Sequence, residues 1–281
     1  MSARRQERSP QGRCVFGIAR ADITPPVGMY HRMWGAAKHE RSTGVHRPLY
    51  ATVAVFGPSG GSVIEQVLVA LDHCVMGALE LGALVRTVSE GCGVLADRVS
   101  VVFSHTHAAG LMGLDRGGLP GGEMIAPYLE GLGSTCAGLA RAAIAGAVEA
   151  WLVQGQGRCD LARHRDQFDE VEGAPVVGYA PDVAADDTLL VARFTDVRGR
   201  VLGTMVNYAC HPTTLAWDNT LISPDFIGSM REVVEGSCGA ICLFLQGASG
   251  ELGPREGFVG DVDVADRNGR VLGHAALSVL E

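Results

Sequence analysis

Short apolar runs rich in valine, leucine and isoleucine alternate with longer stretches whose apolar residues recur at helical spacing. Residues 14–19, 49–56 and 66–71 read as strands. The last two form a hairpin around residues 57–62, where glycine, proline and serine supply the turn. Thr24-Pro25-Pro26-Val27-Gly28 ends the first strand, because successive prolines give a sheet no amide donors. A loop containing glycine and histidine then runs to about Pro48. Helical spacing returns at 76–91, and a buried strand follows at 98–104 (RVSVVFS). A glycine-rich loop covers 110–122, read either as lining or lidding a substrate entrance or as a plain surface loop. Residues 124–153 read as one or two amphipathic helices. Strands are expected at 157–163, 188–194 and 200–208. Ser223-Pro224-Asp225 has the form of a helix start, with a capping serine, a first-turn proline and an acid, leading to a helix through about Glu235. A strand at 240–245 and a helix at 263–280 close the chain. Strands alternating with helices predict an α/β fold, a layered sandwich of mixed sheets flanked by helices.

Composition narrows the class. The chain has 281 residues, 47% hydrophobic and 6% aromatic, enough for a large buried core. Its 38 glycines are spread between apolar runs rather than gathered in a linker. With 31 acidic against 23 basic residues the net charge is −8, which argues against nucleic acid as a partner. Eight cysteines stand singly, without a C-x-x-C pair, as buried thiols do in a reducing compartment. Residues 1–14 read as a disordered tail without a secretory leader, and no apolar run is long enough for a membrane span. A cytoplasmic protein is the plain expectation.

Candidate chemistry gathers where strands end. Ligand sites in layered α/β folds lie beyond the carboxyl ends of strands, and the segments at 105–107, 211 and 246–255 all fall there. In an extended segment residues i and i+2 face the same way, so His105 and His107 can offer two imidazoles to one volume. Catalytic zinc is commonly held by three protein ligands, often histidines, and a water. Exposed or hydrogen-bonded histidines in that pattern are the competing reading, as is a structural role for His211. The H-x-H-x-D-H pattern of dinuclear metallo-β-lactamase-like hydrolases is broken by Ala108, Ala109 and Gly110. A serine nucleophile at Ser249 is disfavoured, because G-x-S-x-G fails at Glu251. Asp225 and Glu251 read first as helix-terminal or supporting charges.

Four segments in order resemble the neutral, non-lysosomal ceramidase family: Gly17-Ile-Ala-Arg-Ala-Asp-Ile-Thr-Pro25, Ser104-His-Thr-His-Ala-Ala-Gly110, Asn207-Tyr-Ala-Cys-His-Pro-Thr213 and Gln246-Gly-Ala-Ser-Gly-Glu-Leu-Gly-Pro254. The resemblance implies a zinc-dependent hydrolase of an amide, N-acylsphingosine in the family, on a single catalytic domain spanning residues 15–281. It makes His105 and His211 zinc ligands and His107 a catalytic residue. It also calls for an arginine, for which Arg165 is the best positional match and Arg163 the competitor. In the family a glutamate and a tyrosine further downstream complete the zinc site, so the resemblance implies a domain incomplete at its C-terminal end. Where the family has serine this chain has Gly253, which points away from ceramide itself. The alternatives are a hydrolase of another lipid or small-molecule amide or ester on the same scaffold, and a non-catalytic relative that binds or assembles.

Overall fold

The protein is described by a computed structural model covering residues 11–180 and 182–281. Strand β1 (Gln11–Asp22) begins three residues before the expected Cys14, because residues 11–13 pair with Trp151–Val153. The expectation of a disordered tail is thus corrected at residues 11–14, and residues 1–10 lie outside those described. A two-residue β2 (Gly44–Val45) follows in the histidine-containing loop. Next, β3 (Tyr50–Pro58) and β4 (Gln66–Leu71) form the expected hairpin. Helix α1 (Ala78–Cys92) then crosses back to β5 (Val99–Phe103), which runs parallel to β4.

Helix α2 (Ile125–Ala145) stops short of the expected end at 153. Residues 148–153 instead open β6 (Val148–Arg158), which pairs with β1, so the sheet overrides local helical spacing. Three short strands follow: β7 (Ala162–His164), β8 (Asp166–Asp169) and β9 (Ala174–Val177), the last two an unforeseen hairpin. The long strands β10 (Thr188–Asp196) and β11 (Val201–Tyr208) match expectation, and β12 (Leu221–Ile222) pairs in parallel with β2.

Helix α3 (Phe226–Cys238) starts later than its sequence suggested. Its cap is Asp225, at φ 54° and fully buried, whose carboxylate accepts from the Phe226 amide. Ser223 is instead held by contact with His46 and accepts from the Asp225 amide. The chain closes with β13 (Ile241–Gln246), β14 (Leu252–Pro254) paired antiparallel to β7, and α4 (Val262–Leu280).

Eight strands form one mixed sheet in the order β13-β11-β10-β6-β1-β3-β4-β5, parallel only in the outermost pair at each end. Phe16, Ala54, Ala70, Ala150, Phe194 and Leu243, with Val102 and Met205, bring side chains from all eight strands into one inner cluster. Such sharing requires the sheet to roll, and β13 indeed comes close to β4 and β5 from the far end of the order. Helices α1 and α2 cover the outside of one flank, α3 and α4 the other. Helix α2 lies so close to β1 that a Cβ on Gly17 would stand 2.0 Å from the Ala143 carbonyl oxygen. The α/β class is as expected, with one rolled sheet supplying both layers of the sandwich. Among the described residues no helix is long and apolar enough to cross a membrane.

Candidate metal centre and active site

Rolling brings the carboxyl ends of β5 and β11 together, although five strands separate them in the sheet order. The rings of His105, His107 and His211 form a triangle with centroid separations of 4.6–5.1 Å. The two members of the His-Thr-His segment do not converge through strand alternation. Strand β5 ends at Phe103, and His105 takes a left-handed φ of 65°, which is strained for a residue with a side chain. Thr106 anchors the turn by donating to the Ser223 carbonyl at 2.7 Å, while the His105 amide donates to the His73 carbonyl at 2.9 Å.

Backbone carbonyls set the tautomers. Nδ1 of His105 lies 2.9 Å from the Cys74 oxygen, and Nδ1 of His211 lies 2.8 Å from the Ser249 oxygen. A carbonyl only accepts, so each Nδ1 carries the hydrogen and each Nε2 presents a lone pair. Those two Nε2 atoms face each other at 3.0 Å. Two lone pairs at that distance repel unless a proton or a cation lies with them. Burial, reinforced by the charge of Arg165, pushes the His211 pKa down to about 4, so at neutral pH a cation is the better partner. Carbonyl-oriented imidazoles are the usual surroundings of a bound zinc ion, whose bonds to nitrogen of about 2.0–2.1 Å suit this spacing.

His107 completes the triangle. Its Nε2 is buried and has no hydrogen-bond partner among the described residues. Burial, with repulsion from His211, His105 and Arg165, pushes its pKa down to about 3, which keeps it neutral. The ligand atoms of Cys74, His105 and His107 also lie within 4.8 Å of one another. Burial pushes the Cys74 thiol up to about 12, however, and its sulfur faces the Nδ1 of His105, which is already engaged. The histidine pair is therefore the stronger donor set.

The structure separates the two arginines. Arg163 is committed to an exposed ion pair with Asp160, at 2.6 and 2.9 Å. Arg165 donates through Nε and Nη2 to the Gly250 carbonyl at 3.0 and 2.8 Å, and the same Nη2 approaches Nδ1 of His211 to 3.1 Å. The Nδ1 hydrogen of His211 is already directed at Ser249, so this last approach is a contact between two donors, not a bond. Burial lowers the Arg165 pKa, yet a guanidinium stays charged.

An aromatic wall stands beside His107. Trp34, from the loop after β1, lies 5.1 Å from the His107 ring between centroids and meets Trp217 at 6.1 Å and Phe258 at 5.8 Å. The Trp34 indole nitrogen is buried without a partner among the described residues. Behind His105, a buried pair between Arg231 and Asp72 fixes the start of the 72–74 segment whose carbonyl orients that histidine.

No family model matches the chain. The neutral ceramidase of Pseudomonas aeruginosa is 25% identical over 249 residues, which is 85% of this chain and 37% of that protein. A crystal structure of that organism's neutral ceramidase matches with a TM-score of 0.76 at 22% identity, covering 98% of this chain and 45% of that one. A ceramidase complexed with C2 gives 0.77 at 21% identity, covering 95% and 44%. The chain is similar to the neutral ceramidases in sequence and in fold. It spans less than half the length of those it matches.

The similarity to neutral ceramidase gives Gly253 its interest. A Cβ there would lie 3.5 Å from the Arg165 Cδ and 3.8 Å from the Thr213 hydroxyl, ordinary contacts, so a side chain would fit beside the arginine. Sequence reasoning missed the three aromatic residues, although Trp217 and Phe258 lie in loops next to the candidate segments at 211 and 246–255. It also missed the carbonyls of Cys74, Ser249 and Gly250. No residue type marks a carbonyl, since every residue carries one.

Proposed function

We propose that the chain hydrolyses the amide bond of an N-acyl amine with zinc as its cofactor, in the manner of a ceramidase. One observation carries the reading: two Nε2 lone pairs stand 3.0 Å apart, each tautomer fixed by a backbone carbonyl. His105 and His211 would hold the ion. Zinc held there supplies Lewis acidity towards a carbonyl and acidifies water. Neutral at working pH, His107 accepts at its unpaired Nε2 the proton lost by the water that attacks the amide carbonyl, and returns it to the amine nitrogen as the C–N bond breaks. Arg165 places fixed positive charge where negative charge grows on the substrate oxygen. All eight cysteines are free and five are buried, which supports the cytoplasm as the proposed compartment.

His105→Ala and His211→Ala should each lose bound zinc and amide hydrolysis together, measured by metal analysis and release of free amine. His107→Ala should keep the metal and lose activity by roughly 10²–10⁴-fold, the usual worth of a general acid–base. Full activity and metal content in either ligand variant would sink the assignment. Gly253 favours one alternative within this reading, a lipid or small-molecule amide other than ceramide. A panel of N-acyl amines assayed against N-acylsphingosine decides it.

A further inference from the structure

We propose that Trp217 and Phe258, with Trp34 wedged between them and His107, form the subsite that takes the apolar acyl group of the amide. The inference rests on the amidase reading and names the side of the site on which the acyl chain lies.

Three separate loops deliver these rings. Trp34 comes from the loop after β1, Trp217 from the loop after β11 that also carries His211, and Phe258 from the loop after β14. The Trp217 and Phe258 rings lie nearly parallel, 6.2 Å apart at 20°, and both stand edge-on to Trp34. They are not core residues: Trp217 is 36% exposed and Phe258 is half-buried, so apolar surface stays open beside a polar triad. Phe258 also holds a left-handed φ of 58°, an outlier for a bulky side chain. It is kept there by its amide donating to the Thr213 carbonyl at 2.9 Å and that of Val259 donating to Thr214 at 3.0 Å. Strain of this kind gathers where a site needs a side chain aimed in one direction. The Arg165 guanidinium and the Gly250 carbonyl stand against His211, whereas the Trp34 ring stands against His107. The site is therefore apolar beside His107 and polar beside His211. An N-acyl amine bridging it places its hydrocarbon on the rings, its carbonyl oxygen towards Arg165 and its nitrogen within reach of His107.

The test uses ketone analogues in which a methylene replaces the amide nitrogen, so that binding is read without turnover. Calorimetry with six-, eight- and ten-carbon acyl groups should show affinity rising about fourfold per methylene while the chain lies on the wall. Trp217→Ala should flatten that dependence, Trp217→Phe should keep part of it, and Trp151→Ala on β6 should leave it unchanged. Thermal melts identify the folded variants, and Phe258→Gly, which accepts the backbone angle, is expected to flatten the series as well. Affinity independent of chain length in the unaltered protein overturns the proposal, as does an unchanged slope in whichever folded variant lacks Trp217 or Phe258. Loss of zinc-dependent hydrolysis with the slope intact would instead remove the amidase reading and leave the apolar subsite standing.

Discussion

At one end of the sheet the parallel pair β4 and β5 is covered by α1 and α2, and at the other the parallel pair β11 and β13 is covered by α3 and α4. The two helix pairs pack differently. Between α3 and α4 the backbones nearly touch, because a Cβ on Gly269 would stand 2.2 Å from the Phe226 carbonyl and one on Gly273 2.7 Å from the Val233 Cβ. Between α1 and α2 the approach is as close only at the C-terminal end of α1, where a Cβ on Gly91 would stand 2.7 Å from the Ala137 Cβ; a Cβ on Gly133 would meet Thr87 at 3.4 Å, and a groove of about 330 Å³ opens over Met76, Leu84 and Leu132. His211 and Arg165 belong to the tightly packed flank, His105 and His107 to the looser one. The candidate centre sits on the seam, so its geometry depends on the ties across it. Two such ties are the Arg231–Asp72 pair and the bond from Thr106 to Ser223.

Breaking the seam should have the largest effect. Arg231→Ala leaves Asp72 charged, 2% exposed and unpaired, and should cost about 3–5 kcal/mol in urea unfolding. The double variant Arg231→Met/Asp72→Leu should recover most of that. If the single variant is as stable as the parent, the pair is not the tie.

Titration should set the flanks against each other. Burial pushes the pKa values of His31 and His73 down to about 4, and both side chains are almost completely enclosed on the looser side. Unfolded imidazoles take up protons below about pH 6.5, whereas these do not until about 4, so the unfolded state binds more protons between those values. Stability should fall as pH drops through that window, by at most about 1.4 kcal/mol per pH unit for each group. Asp225, at the start of α3, has the opposite sign. Burial raises its pKa to about 6, so the folded state takes up that proton first and gains as pH falls from 6 towards 4. Thermal unfolding from pH 7 to 4.5 should show a net fall, steeper in Asp225→Asn. A flat profile in both proteins would refute the assignment.

The packing contrast itself is tested by two alanines. Gly269→Ala should destabilise by about 1–3 kcal/mol through overpacking. Gly133→Ala should be neutral or stabilising by up to about 1 kcal/mol, because helix propensity improves and the space is there. Equal effects in thermal melts would erase the difference between the flanks.

Most of the framework was legible in the chain. Strands β3, β4, β5, β10, β11 and β13 and helix α4 stand close to where apolar runs and helical spacing place them, because each buries a face whose period is local. The failures are local signals overruled by distant partners. Residues 148–153 carry apolar positions compatible with a helix, but they lie between β1 and β10 and join the sheet. Ser223 has the form of a cap, yet the turn at Asp225 hands that role to a carboxylate buried against Leu215.

The same division holds for the candidate site. Residue type and order along the chain were enough to single out His105, His107 and His211 at strand ends, because imidazoles are rare and strand ends are readable from hydrophobic runs. Only the rolled sheet could bring strands from opposite ends of the order together, separate Arg165 from Arg163, aim the carbonyls of Cys74 and Ser249 at two Nδ1 atoms, and gather three aromatic rings beside His107. The reason is physical. Periodicity reports which face of an element is buried, whereas a distance of 3.0 Å between two nitrogens depends on the path of the whole chain between residues 105 and 211.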